Sequence, residues 1–169
     1  MFKKFIVAAI VAIASITSYA QTTIKIGTVN LDEVMQAMPE TSVLEKELAN
    51  KTTTFQNTAK SMQEEFQTKY QAYVEQHDSL DELTLSVRED ELRSLQQRAE
   101  QYQQASYQQI QQYREQQLAM INEKLLKAMR TVADRDKYTA VFPVTDAFYF
   151  SPTQTTDITS AVKAELGIK

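Results

Sequence analysis

The middle of the chain carries the apolar pattern of a helix that packs along another helix. Leu48, Phe55 and Met62 recur every seven residues. A second row with the same period, offset by four residues, consists of Thr52, Ala59, Phe66, Tyr73 and Leu80. Together the two rows form a heptad seam of the kind that joins helices in coiled coils.

This seam belongs to two long helices, predicted over residues 40–77 and 82–133, neither of which contains Gly or Pro. Residues 78–81, Asp-Ser-Leu-Asp, separate the helices, because Asp and Ser favour turns and helix N-caps. The first helix would be about 57 Å long at 1.5 Å per residue. A domain of this size cannot enclose two such rods, so we predict a projecting antiparallel hairpin arm over residues 40–133 with its tip near 78–81.

One stretch of the arm is rich in glutamine. Residues 96–117 contain 11 Gln among 22 residues. Gln forms helix well but contributes little apolar area to a seam. We therefore expect the hairpin to bend and splay more readily here than a leucine zipper would.

Short strands are predicted at both ends of the chain. Residues 23–30 alternate apolar and polar positions, with Gly27 suggesting a close approach of another backbone. Residues 138–142 and 147–150 are strand candidates, and the short link between them favours a hairpin. A last helix is expected to begin at Asp157 and to stop at Gly167.

The predicted fold class is therefore α+β and mostly α. Residues 21–39 and 134–169 would form a small β-body from N- and C-terminal strands with a terminal helix, and residues 40–133 the coiled-coil arm. Strands from both ends must meet, because a lone strand or two-stranded ribbon is marginal in water. The core remains small for so much helix, so we expect oligomerisation to enlarge the body.

The first 20 residues have the order of a secretory signal peptide. Lys3 and Lys4 precede an uncharged apolar run at 5–16, and small residues stand at Ser18 and Ala20. The run is short for a membrane span, which needs roughly 20 residues, although a short membrane anchor is the alternative. We predict cleavage after Ala20.

Composition narrows the partners of the exported chain. Without Lys3 and Lys4 it has 16 basic and 22 acidic residues, a net charge of −6. Proteins that bind nucleic acid have clusters of basic residues, so we expect no nucleic-acid partner. Cys is absent, so stability must come from packing or assembly and not from disulfides.

The order of elements resembles the Skp family of periplasmic chaperones, also called OmpH-like. The resemblance covers essentially the whole exported chain, and its most specific parts are IKIGTVNLDEVMQAMPE near the start and DITSAVKAEL near the end. It implies a periplasmic homotrimer, with a β-body built from three chains and three arms around a cavity. It also implies that unfolded outer-membrane proteins are held there without ATP.

The acidic charge departs from the basic arms of familiar family members. It argues against binding to membrane surfaces and shifts the expected grip on clients towards apolar and aromatic contacts.

Catalysis has little support in the sequence. His77 is the only His and adjoins the predicted turn, whereas a triad or a His-based metal site needs partners. Acidic clusters such as Glu64-Glu65 and residues 89–91 are typical of solvated helix faces. With only two Gly, no phosphate-binding loop is present. No catalytic, cofactor or metal site is predicted, and the protein is expected not to be an enzyme.

The functional candidates are apolar residues near the tip of the arm. The client-binding candidates are Met62, Phe66, Tyr70, Tyr73, Leu80, Leu83, Leu85 and Val87. They either join the two helices or face a client, and the alternating stretch 83–87 cannot place every apolar group on one seam. Met suits a surface that accepts many partners. The alternative functions are a secreted coiled-coil spacer or adaptor with one folded partner and, ranked last, a periplasmic enzyme or solute carrier.

Overall fold

The computed structural model describes residues 24–168, so the predicted signal peptide lies outside the described residues. In chain order the elements are strand β1 (Ile26–Val29), helices α1 (Leu31–Ala37) and α2 (Pro39–Gln76), a 3-10 turn (His77–Ser79), helix α3 (Glu82–Arg135), strands β2 (Ala140–Pro143) and β3 (Thr155–Asp157), and helix α4 (Thr159–Glu165). The predicted fold class, mostly helical with a small sheet, is confirmed.

Helices α2 and α3 form the arm. They contain 38 and 54 residues, which corresponds to lengths of about 57 and 81 Å. Pro39 occupies the first turn of α2, where a missing N–H costs nothing. Asp81 caps α3, since its Oδ1 accepts a hydrogen bond of 2.8 Å from the backbone N–H of Thr84. The turn that reverses the chain is thus fixed by a local polar contact.

The sheet has the order β2-β1-β3, and both pairings are parallel. The central strand places Gly27 opposite Val141 on one side and Thr156 on the other. Parallel neighbours require a long crossover connection. The arm itself is the connection from β1 to β2, and residues 144–154 lead from β2 to β3.

The predicted β-hairpin over 138–142 and 147–150 is wrong in its second strand. Residues 147–150 form no strand, and β3 takes the second edge of β1 instead. Strands β2 and β3 both run parallel to β1, so they also run parallel to each other. A three-residue link cannot join two parallel strands. The aromatic side chains that suggested a strand pack on one another, with Phe150 6.1 Å from Phe142 and 6.3 Å from Phe148 between ring centroids.

The space that a side chain at Gly27 would occupy is filled by neighbouring side chains, and not by the closely approaching backbone that the sequence suggested. A Cβ atom at this position would lie 3.1 Å from Cδ1 of Tyr138 and 3.2 Å from Cγ2 of Val141. The Tyr138 ring is itself held by Lys25, whose Nζ lies 4.1 Å from the ring centroid. The missing side chain therefore makes room for Tyr138 against the central strand.

The hydrophobic core lies where the arm joins the sheet. Its buried members are Val29, Val34, Met38, Leu44, Ile121, Leu125, Ala128, Val132, Ile158 and Val162. They come from β1, from all four helices and from the residues that directly precede α2 and α4, so the base of the arm is part of the core. Ion pairs between Lys163 and Glu33 at 2.6 Å and between Arg135 and Glu165 at 3.2 Å lie at its edge.

Candidate functional site

Polar and aromatic pairs hold α2 against α3 from the core outward. From the base outward these pairs are Glu40–Lys124, Glu47–Tyr113, Phe55–Tyr102, Lys69–Glu91 and Tyr73–Glu89. The two helices therefore keep one register over the whole arm. Among the described residues of the outer arm, Leu95 is the buried hydrophobic one. The other apolar groups of the outer arm stay partly or largely in contact with solvent.

An open groove lies between the helices in the distal half of the arm. Its apolar floor includes Met62 and Phe66 from α2 and Leu95 and Ala99 from α3. Its complete lining is Ala59, Met62, Gln63, Phe66, Leu95, Gln96, Ala99, Glu100 and Gln103. The volume of this distal groove is about 460 Å³. An open apolar floor with a polar rim suits the side chains of a bound polypeptide.

Two candidates belong to this groove, and a third extends it. The rings of Phe66 and Tyr70 stack with centroids 6.1 Å apart and planes 7° from parallel. Met62, Phe66 and Tyr70 are four residues apart, so they form one ridge on α2. Val74 continues this apolar ridge and is exposed. Sequence reasoning missed Val74, although its spacing from Tyr70 was the signal that could have found it.

Tyr73 contributes to holding the arm together. It is half-buried, and its hydroxyl donates a hydrogen bond of 2.8 Å to Oε1 of Glu89 across the hairpin. This bond to a carboxylate raises the pKa of Tyr73 above its ordinary value. The ring edge also packs on His77, with centroids 5.5 Å apart. Because of these contacts, Tyr73 has less free surface for a partner than the exposed candidates have.

The remaining candidates at the tip divide into two environments. Leu80 and Leu85 are half-buried. Leu83 and Val87 are 76% and 59% exposed. The alternating stretch 83–87 therefore sends Leu85 inward and leaves Leu83 and Val87 in solvent, one helical turn apart on α3.

Charged side chains flank the candidate residues near the tip. Lys69 of α2 pairs with Glu91 of α3, and Arg88 lies 3.5 Å from the same carboxylate. The hydrogen bond from Lys69 holds the pKa of Glu91 below its ordinary value. This cluster links the helices electrostatically where apolar contacts are few.

A second apolar surface lies beside the sheet, on β2 and the connection that follows it. It is defined by Phe142, Phe148, Tyr149 and Phe150, and we call it the body aromatic patch. Tyr149 is 87% exposed, and Phe142 and Phe148 are also exposed. Sequence reasoning assigned 147–150 to a strand and so did not identify this surface. Clustered exposed aromatic rings of this kind mark interaction sites.

Between residues 24 and 168, no group of three or more His, Cys, Asp or Glu residues is arranged to hold a metal ion. His77 is exposed and lies 3.1 Å from the Asp78 carboxylate. Within the same residues, no helix combines the length and apolar character that a membrane span requires.

Comparison with known proteins places this architecture in a family. Residues 25–166 match the family described as outer membrane protein (OmpH-like), and this protein belongs to that family. The family is one of chaperones and not of enzymes, in agreement with the expectation that the chain is not an enzyme.

A solved structure shares the fold. The crystal structure of a protein described as an outer-membrane chaperone (OmpH-like) from Caulobacter crescentus matches with a TM-score of 0.73. The match covers 83% of this chain and 82% of that chain at 13% sequence identity. No curated protein matches this sequence.

Proposed function

We propose that this protein is an ATP-independent holdase of the periplasm that binds unfolded outer-membrane proteins and prevents their aggregation. Membership in the OmpH-like family supports a chaperone role, and the related structure is described as an outer-membrane chaperone. Export by the predicted signal peptide would deliver the chain to the compartment that these clients cross.

The observation that carries the proposal is the distribution of apolar groups along the arm. The hydrophobic core ends near the base, yet Tyr70, Leu83 and Val87 expose apolar surface near the tip. Each contact with an unfolded chain would be weak. Several such contacts on linked arms raise the effective concentration of the next contact, so avidity replaces a deep pocket.

Assembly into a homotrimer is part of the proposal. Within residues 24–168, β2 and β3 each pair on one side only, and the body aromatic patch is exposed beside them. Sheet edges and apolar patches of this kind are normally covered. Three bodies packed through these surfaces would bury them and would set three arms around a shared space.

Charge favours apolar recognition over electrostatic attraction. The predicted exported chain has a net charge of −6, so it would repel anionic lipid and acidic clients at long range. Contacts through Met62, Phe66 and Tyr70 avoid this penalty. The proposal therefore does not include a membrane-surface site.

The first experiment follows aggregation of a client. A urea-unfolded outer-membrane β-barrel protein is diluted into buffer with or without residues 21–169, and light scattering is recorded without ATP. Suppression near one trimer per client is the expected result, because binding removes the aggregating species by mass action. Undiminished aggregation at several-fold excess would reject the holdase and favour a spacer or adaptor for a folded partner.

The second experiment locates the client contacts. Replacing Tyr70, Leu83 and Val87 together with Ser should weaken client binding by at least about tenfold, since three contacts of about 0.5 kcal/mol or more each are lost. Trimer mass and helix content should not change, because these side chains are outside the core. A matched control replaces three apolar residues exposed near the base of the arm, namely Val43, Leu118 and Met120. Equal losses in the two variants would contradict a distal site.

A further inference from the structure

The end of the arm carries most of the net negative charge of the predicted exported chain. Residues 75–82, which we call the acidic tip segment, contain no Lys or Arg. Their four acidic residues are Glu75, Asp78, Asp81 and Glu82. This segment accounts for −4 of the net charge of −6, because the rest of residues 21–169 has 18 acidic and 16 basic residues. The net negative charge is thus concentrated at the tip.

The carboxylates of the acidic tip segment are exposed to solvent. All four acidic residues are exposed, and within residues 24–168 none of them forms an ion pair with Lys or Arg. Asp78 lies 3.1 Å from a ring nitrogen of His77, and Asp81 caps α3 with its side chain. Glu75 and Glu82 make no side-chain hydrogen bond to another described residue. The described part of the fold therefore does not neutralise these charges with Lys or Arg.

Exposed apolar side chains adjoin the acidic tip segment at both of its ends. Val74 precedes the segment on α2 and is 55% exposed. Leu83 follows it directly on α3 and is 76% exposed, and Val87 is 59% exposed. Leu83 and Val87 are four residues apart, so they lie on one face of α3. The tip therefore presents apolar groups directly beside negative charges.

The charge of the tip restricts which partner can cover these apolar groups. Glu82 is the neighbour of Leu83 in the chain, so a partner that covers Leu83 brings its own flanking side chains close to a carboxylate. Acidic flanks are repelled there and basic flanks are attracted, because charge complementarity selects among partners. Lys and Arg also have aliphatic stems that can lie on apolar side chains while their charged ends reach carboxylates. The complementary partner is therefore both apolar and basic.

We propose that the tip of the arm binds client segments in which Lys or Arg flanks apolar residues. Leu83 and Val87 contact the apolar residues of such a segment, and the carboxylates of the acidic tip segment attract its basic flanks. This inference rests on the proposed holdase function and specifies which segments of a client the tip prefers. Because the charges are exposed, the preference depends on salt concentration.

The test compares the binding of short peptides that share the same Tyr and Val residues and differ only in the positions between them. These positions are Lys in one peptide, Ser in another and Glu in a third. Purified residues 21–169 at roughly 0.05 M salt should bind the Lys peptide about tenfold more tightly than the Glu peptide, the scale of two or three exposed ion pairs. At roughly 0.5 M salt the ratio should fall below about threefold. A chelator is present throughout, so that no divalent cation bridges like charges.

Two charge variants assign this preference to a part of the chain. Replacing Glu75 and Glu82 with Gln and Asp78 with Asn should reduce the ratio at low salt to below about threefold, since the charges that attract Lys are lost. Asp81 is retained because it caps α3. The matched control replaces with Gln three exposed acidic residues that are distant from the tip, namely Glu45, Glu115 and Glu123. The control has the same net charge and should keep the preference.

A third variant tests the apolar part of the surface. Leu83→Ser combined with Val87→Ser should weaken the binding of all three peptides by a similar factor of at least about threefold, because each peptide loses the same apolar contacts. The ratio between the Lys and Glu peptides should stay near the value of the unsubstituted protein. Circular dichroism checks that the helix content of every variant is unchanged.

Different results would overturn the inference without deciding the holdase function. Equal affinity for the Lys and Glu peptides, or no binding of any peptide, would show that the tip does not select basic segments, while suppression of the aggregation of a whole client would leave the holdase intact. Equal loss of preference in the two charge variants would assign the preference to overall net charge and not to the tip. Unchanged affinities in the Leu83 and Val87 variant would show that these side chains do not contact the peptide.

Discussion

Leu125 offers a direct test of where the stability of the arm originates. Its side chain is completely buried, at 0% exposure, in the core beneath the sheet. Leu118 lies seven residues earlier on the same helix and is 37% exposed. Seven residues make nearly two helical turns, so both side chains point in nearly the same direction. They differ because the sheet and the short helices cover only the base of the arm.

The two substitutions are expected to lower the free energy of unfolding by different amounts. Leu125→Ala removes apolar contacts and leaves a cavity, at a cost of about 2–5 kcal/mol. Leu118→Ala removes a side chain that solvent already reaches, and we expect a cost of about 1 kcal/mol. The gain in helix propensity is the same for both substitutions and cancels in the comparison. The expected difference is therefore about 1–4 kcal/mol.

Urea unfolding followed by far-UV circular dichroism measures this difference. With a slope of about 2 kcal/mol per molar urea, in the middle of the usual range, the midpoint of Leu125→Ala should fall about 1–2.5 M below that of the unsubstituted protein. All proteins are compared at one chain concentration, because assembly links stability to concentration. If Leu118→Ala lost as much stability as Leu125→Ala, the assignment of the core to the base of the arm would be refuted.

Three further perturbations test other parts of the fold. Gly27→Ala should destabilise the protein by about 1 kcal/mol, because displacing the Tyr138 ring outweighs the entropic gain in a strand, and unchanged thermal stability would contradict the crowding. Glu91→Gln should lower the melting temperature at neutral pH but not in acid. The folded-state pKa of Glu91 is depressed, so its contribution is present above the ordinary value of 4.5 and is lost as the pH falls through the folded-state pKa. A difference that persisted in acid would contradict this ion-pair role. Tyr149→Ser should weaken the proposed homotrimer and so lower the mass measured by sedimentation at low concentration, and an unchanged oligomer mass would argue against the body aromatic patch as an interface.

The arm could be predicted from the sequence because its information is periodic and local. The heptad rows through Leu48 and Phe66 need only helical geometry to specify a packed face. The absence of Gly and Pro fixes how far the helices extend. The sheet was harder because β3 is a short polar segment, Thr155–Asp157, whose place is set by pairing with β1 and not by its own pattern.

The candidate client-binding residues also divide into features that the sequence could predict and features that it could not. Periodicity identified Met62 and Phe66 as seam positions, and Tyr70 was a candidate only because it is aromatic and near the tip. Only the structure shows that the three side chains form one ridge beside the distal groove. The same reasoning could not separate Leu85 from Leu83, because the way that the turn presents these two side chains depends on the end of the hairpin. The body aromatic patch was missed because a run of aromatic residues resembles a buried strand.

The arm connects β1 to β2 along the chain, and this order has a consequence for folding. Residues that become neighbours in β1 and β2 are separated by more than 100 positions in the chain, as with the 2.7 Å hydrogen bond from Thr139 N–H to the carbonyl of Lys25. Closing so long a loop at random is slow and entropically costly. The arm can instead form progressively from its local turn, and each added contact brings the two strands closer. Strand β3 and helix α4 follow the arm in the chain, so the core is completed only when these two elements have joined β1.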